Sequence, residues 1–140
     1  MSQDPRDTPR PDGRVGVIRG EFDDAAIERI AAAARARGLL VFTIDLAGAE
    51  DKLTLLERTA KTLEFPAWFG GNWDAWFDCL TDLGWIALRV PGYIVVLRHA
   101  ADLQQAAPEA FDTALAIAED AAAVWAKRGV RFQVIVDLGR

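Results

Sequence analysis

The chain is predicted to be an α/β protein built on a small parallel sheet, and three observations carry that expectation. Apolar, strand-like runs recur at 39–46, 93–97 and 130–136. The gaps between them are long and read as helical, as parallel crossovers require. The run at 39–46 is close to continuously apolar, the mark of a strand covered on more than one side. At 140 residues, with 51% apolar and 26% charged side chains, the chain has the size and composition of one globular domain around one core. Three core strands are expected, with room for an extra strand at the N-terminus.

Taken in order, residues 1–13 hold three prolines, three aspartates and two arginines, and are expected to be a flexible tail. Residues 15–19 form a short β-like run. A helix over 22–37 follows, with Asp23 or Asp24 as N-cap, Ile27, Ile30, Ala31 and Ala34 on one face, and Gly38 as its stop. Segment 14–38 is thus read as a strand–helix extension ahead of a main domain at 39–140. After the strand at 39–46, a helix at 51–64 carries Leu53, Leu56, Ala60 and Leu63 on its core face. Residues 89–92 are a turn by composition, and 93–97 a strand. One helical turn is expected at 102–105. Pro108 opens the last helix, 109–128, because its missing amide costs nothing at that position. Ala114, Leu115, Ala118, Ala122 and Trp125 mark its buried side, Gly129 its end, and 130–136 the final strand.

The densest stretch is 65–85, which holds four of the five tryptophans. Gly70-Gly71-Asn72 reads as a tight turn ending on a helix N-cap, since the Asn side chain accepts from an orphan amide of the first turn. Trp73, Trp76, Leu80 and Leu83 then share one helical face. Asp74, Asp78, Thr81 and Asp82 fall on the other, with Phe77 at the border. Between Thr62 and Leu88 there is no Lys or Arg, while Glu64, Asp74, Asp78 and Asp82 are all acidic. Like charges four apart on a helix cost about 0.2–0.5 kcal/mol per pair. A helix that needed only solvation would interleave lysines.

Pro66, Trp68-Phe69, Gly70-Gly71-Asn72, Asp74, Phe77, Asp78-Cys79-Leu80-Thr81 and Gly84-Trp85 together resemble the signature of the barstar family, intracellular inhibitors of the ribonuclease barnase. The resemblance spans roughly 39–138 and is tight over 65–85. It implies a barstar-like fold and a protein that plugs a nuclease: Asp78 as the mimic of a substrate phosphate, Asp74 as a second acidic contact, Thr81 as a hydrogen-bonder at the rim. Trp68 and Phe69 stand where the family has two tyrosines, and Gly70 and Asn72 match it. With Phe77 and Trp85 these complete the expected partner-binding set. Departures are also plain. The tyrosine hydroxyls are gone, Phe77 replaces a Trp, Asp82-Leu83 is inserted before Gly84-Trp85, and Val124 occupies the place of a Glu on the last helix.

The remaining chemistry is spare. The net charge of −5 disfavours nucleic acid as a partner. A single cysteine, Cys79, excludes an internal disulfide and a multi-cysteine zinc site. Asp74, Asp78 and Asp82 as a metal cluster would be spread over two turns, and His99 has no evident nucleophile beside it. No cofactor, metal, membrane or small-molecule substrate is expected, nor enzymatic activity. The polar N-terminus shows no signal peptide and no run reaches membrane-span length, so a cytoplasmic location is expected. The expected partner is a basic extracellular-type ribonuclease. A non-inhibitory interaction module that binds another basic protein is the rival reading.

Overall fold

The computed structural model describes residues 16–86 and 89–139. The tail expected at 1–13 and Val15 of the first strand lie outside the described residues. The elements run β1 (Val17–Gly20), α1 (Asp24–Ala36), β2 (Leu40–Asp45), α2 (Lys52–Thr62), α3 (Trp73–Leu80), β3 (Gly92–Arg98), α4 (Ala101–Ala106), α5 (Pro108–Lys127) and β4 (Arg131–Asp137). All strand pairs are parallel and the order across the sheet is β1-β4-β3-β2. The expected three core strands are β2, β3 and β4, and the N-terminal run adds the fourth beside β4.

Strand order dictates which face each helix covers. From β2 to β3 to β4 the chain steps across the sheet in one direction, whereas from β1 to β2 it crosses in the opposite direction. Crossovers of one hand must then put α1 on the opposite face from the other helices. The core divides accordingly. On one face Ile27 and Ala34 of α1 pack with Ile94, Val96 and Ile135. On the other, Leu55, Leu56, Trp76, Leu80, Phe111, Leu115 and Trp125 pack against Ile44, Tyr93, Val95, Phe132 and Val134. Strands β3 and β4 are sealed on both sides, which is why Tyr93–Leu97 reads as an unbroken apolar run and β4 becomes one from Val134 to Val136.

Helix ends follow local chemistry. Asp23 is the N-cap of α1, its carboxylate accepting from the Ala26 amide at 2.7 Å, and Asp51 does the same for Thr54 at 2.8 Å in α2. Gly38 and Gly129, just past α1 and α5, have φ of +81° and +75°, where a Cβ would be strained. The end of α2 has no glycine, and Glu64 takes the left-handed conformation instead, at φ +55°. One core assignment is corrected. Leu53 is 56% exposed, and α2 turns inward on Leu55, Leu56 and Thr59, followed by Leu63. Thr59 fits this apolar stripe because its hydroxyl donates back to the Leu55 carbonyl at 2.8 Å.

One buried carboxylate ties the sheet to the N-terminal segment. Asp137, 1% exposed at the end of β4, accepts from the amides of Phe22 (3.1 Å) and Gly139 (2.9 Å) through Oδ1, and from Arg98 Nε (2.9 Å) through Oδ2. Arg98 reaches on to Asp24 at 2.7 Å, but that carboxylate is almost wholly in solvent, where ion pairs contribute little. Burial alone would raise the Asp137 pKa. The two amides and the Arg98 guanidinium outweigh it and hold the carboxyl below its ordinary value of 3.8. A group depressed in the folded state contributes stability above its unfolded pKa and loses that contribution as pH falls through the folded one. Asp137→Ala is therefore expected to destabilise by about 3–5 kcal/mol at neutral pH, by leaving Arg98 partly buried with only the solvated Asp24 carboxylate as a partner. Asp137→Asn should also flatten the loss of stability below the ordinary carboxylate value; urea titrations from pH 7 downward check both.

Candidate functional site

Helix α3 is only eight residues long, too short to persist on its own. The turn before it is shaped by Gly71 at φ +71°, and Asn72 caps it, with Oδ1 accepting from the Ala75 amide at 2.8 Å. Trp76, Cys79 and Leu80 anchor its inner face in the core. Its C-terminal carbonyls, orphaned by helix geometry, are taken up by α5: Trp125 Nε1 donates to the Leu80 carbonyl at 2.8 Å, and an Arg128 guanidinium nitrogen donates to that of Thr81.

A second fastening holds the loop ahead of the helix. Trp85 Nε1 donates to the Leu63 carbonyl at 3.0 Å, linking the segment after α3 to the end of α2. Phe65 meets Phe69 edge to face at 5.1 Å and Trp85 at 5.8 Å, while Trp68 stands edge-on to Trp85 at 6.4 Å. Such pairs add about 0.5–1.5 kcal/mol each beyond the area they bury. Trp68 is nevertheless 59% exposed, one of two large apolar side chains left so among the described residues. Trp73 is half-buried, edge-on to Trp76 at 5.6 Å, with Lys52 Nζ 5.1 Å above its ring.

On this frame Gly70, Asn72, Asp74 and Asp78 are exposed, and Phe69, Phe77 and Trp85 are half-buried. Asp74 and Asp78 lie one turn apart on the outer face of α3. Neither carboxylate has a hydrogen bond or an ion pair among the described residues. Thr81 sits differently from the rim position implied by its place in the motif. It is 9% exposed, and its hydroxyl is turned back onto the helix, 2.9 Å from the Phe77 carbonyl and 3.2 Å from that of Asp78. Asp82 and Leu83, expected on the helix, lie beyond its end. Asp82 accepts from the Gly84 amide at 3.0 Å, and Leu83, at φ +54°, swings into the core. The inserted pair is thus absorbed by a left-handed turn, which leaves Trp85 free to reach Leu63.

Other candidate chemistry is not assembled. No group of three His, Cys, Asp or Glu side chains is placed to hold a metal ion among the described residues. A groove of about 530 Å³ at the carboxyl ends of β1, β3 and β4 contains His99, but its Arg98 is engaged by Asp137 and Asp24. No helix among the described residues is long and apolar enough to cross a membrane. Sequence reasoning missed Lys52, Trp125 and Arg128 as parts of the site's frame. Nothing local announces them, because each reaches α3 from an element remote in sequence.

Fold and site together define a class: a small α/β protein that displays a firmly held, uncompensated acidic helix beside partly exposed aromatic rings. Residues 39–137 match the family described as Barstar (barnase inhibitor), and the chain belongs to that family. The match begins at the foot of β2, so β1 and α1 lie ahead of it. A comparison with curated proteins finds no match.

Cys79 offers a direct check on how α3 is seated. It is fully buried, and burial, then the charges of Asp78 and Asp82, push its thiol up to about 11. At pH 8 only roughly one thiol in a thousand is ionised. A disulfide reagent should therefore leave the folded protein untouched over hours and label it fully once urea unfolds it. Rapid labelling of the folded chain would show that α3 is not held as described.

Proposed function

We propose that this protein inhibits a basic, extracellular-type ribonuclease by filling its active-site cleft with the turn at 65–72 and the outer face of α3. The observation that supports this reading most strongly is the pair Asp74 and Asp78, exposed, one turn apart and without counter-charge among the described residues. A nuclease cleft holds cations arranged for successive phosphates. Asp78 occupies the substrate phosphate position and Asp74 a neighbouring cation. Trp68, Phe69 and Phe77 supply rigid contact area beside the charges, as interface anchors do. Gly70 and Asn72 shape the entering turn, while Thr81 and Trp85 act from behind the surface, holding the helix end and the loop in place.

The mechanism is steric and electrostatic, with no chemical step. The acidic face attracts the basic cleft, so association should slow as salt screens the charges. Without the tyrosine hydroxyls, Trp68 and Phe69 bind by surface and shape. The contact set therefore differs from that of the barnase complex, and the target is a related nuclease with an apolar rim to its cleft.

Truncating one member of a buried, hydrogen-bonded charge pair costs about 2–5 kcal/mol of binding. That rule draws on barnase and barstar themselves, so its magnitude is inherited from relatives. Asp78→Ala is expected to weaken inhibition of the captured nuclease by that amount, and Asp74→Ala by less. Equal inhibition by Asp78→Ala and wild type would end the phosphate-mimic reading. Recovery of a basic protein without ribonuclease activity on the immobilised chain would instead favour the non-inhibitory module.

A further inference from the structure

The edge of the sheet opposite β1 points to a second binding surface. Among the described residues edge β1 shows four residues, whereas β2 presents six, Leu40–Asp45, with no Pro or Lys and with Asp45 at its end as its one charged side chain. Long apolar edges without such devices are templates for strand pairing.

Which backbone groups are free follows from hydrogen bonds already fixed. The Leu46 amide donates to the Arg98 carbonyl at 2.8 Å, so Leu46, Ile44, Phe42 and Leu40 direct their backbone groups toward β3. Asp45, Thr43, Val41 and Leu39 therefore direct theirs outward. Two of these groups are already taken. The Leu39 amide donates to the Ala34 carbonyl at 3.0 Å, and the Asp45 carbonyl accepts from Arg58 at 3.0 Å. Among the described residues the edge is left with three donors, on Val41, Thr43 and Asp45, and three acceptors, on Leu39, Val41 and Thr43.

That set is self-complementary. In an antiparallel pairing of two copies about a two-fold axis at Phe42, Val41 faces Thr43 of the other copy and Asp45 faces its Leu39. Every free donor then meets a free acceptor. The two occupied groups, one donor and one acceptor, face each other where no bond is needed. Centring the axis on Val41 or Thr43 instead strands free groups against occupied ones. Side chains agree with this register. The half-buried Phe42 meets its own copy as an aromatic cross-strand pair, and the β-branched Val41 and Thr43 pair on the α1 face. We propose that two copies of this chain pair through β2 in this register, forming one continuous eight-stranded sheet. The proposal is independent of the reading of α3.

Sedimentation equilibrium of the full chain decides first, and the expected species has twice the mass of the 15.3 kDa chain. A monomer throughout a series reaching hundreds of micromolar overturns the proposal. Register is tested by cysteine cross-linking, because Cα atoms of a non-hydrogen-bonded antiparallel pair lie about 4.5 Å apart, within disulfide range. Phe42→Cys should oxidise to a covalent dimer while Asp45→Cys stays uncross-linked; the reverse pattern overturns the register. Thr43→Pro, which removes a central edge donor where proline is tolerated, should sediment as a monomer with an unchanged far-ultraviolet circular dichroism spectrum. A Thr43→Pro dimer as tight as wild type would contradict pairing through this edge.

Discussion

The structure turns on how an eight-residue helix is kept in place. Left alone, α3 would fray, since nucleating so short a helix costs more than its few internal bonds return. Two side-chain donors from outside it supply what its end lacks, Trp125 on Leu80 and Arg128 on Thr81, and Trp85 on Leu63 fastens the segment that follows it to the end of α2. These bonds join α3 to α5 and to the end of α2, so its outer face is presented by the whole domain. Rigidity of this kind reduces the ordering cost of binding and makes a charged face effective.

The charges on that face run against the helix's own interest. Asp74, in the first turn, is favoured by the positive end of the helix dipole. Asp78, in the last turn, faces the negative end, a penalty of about 0.3–1 kcal/mol, and repels Asp74 one turn away. Nothing on the chain neutralises either carboxylate among the described residues. Where sequence breaks a local rule without a local gain, the compensation lies in function. The function proposed above would give that compensation its form, a cation-lined cleft on another protein.

Much of this was legible in the residues alone. The alternation of apolar runs with helical segments gives the parallel sheet, and Asp23, Asn72, Gly38, Pro108 and Gly129 mark helix ends because each acts through its own neighbours. Leu53 misled because a helix's inward direction is decided by its neighbours and not by its period. Asp82 and Leu83 misled because helical spacing continues past Leu80, while the chain leaves the helix at a left-handed residue that no glycine signals. The fastening of α3 and the Asp137–Arg98 tie were invisible, since each joins residues 22 or more apart in sequence. The segment before residue 39 likewise showed its strand and helix but not its place: β1 and β2 occupy opposite edges of one sheet.

The central claim is that an acidic protein face occupies the site where a nuclease holds RNA phosphate. Its most direct test is competition. Binding of this chain to the nuclease it captures is measured by titration calorimetry at fixed ionic strength, with increasing amounts of an uncleavable oligoribonucleotide. Binding should be mutually exclusive, with the apparent Kd rising linearly with oligonucleotide concentration. A Kd that stays constant while the oligonucleotide is demonstrably bound would contradict it.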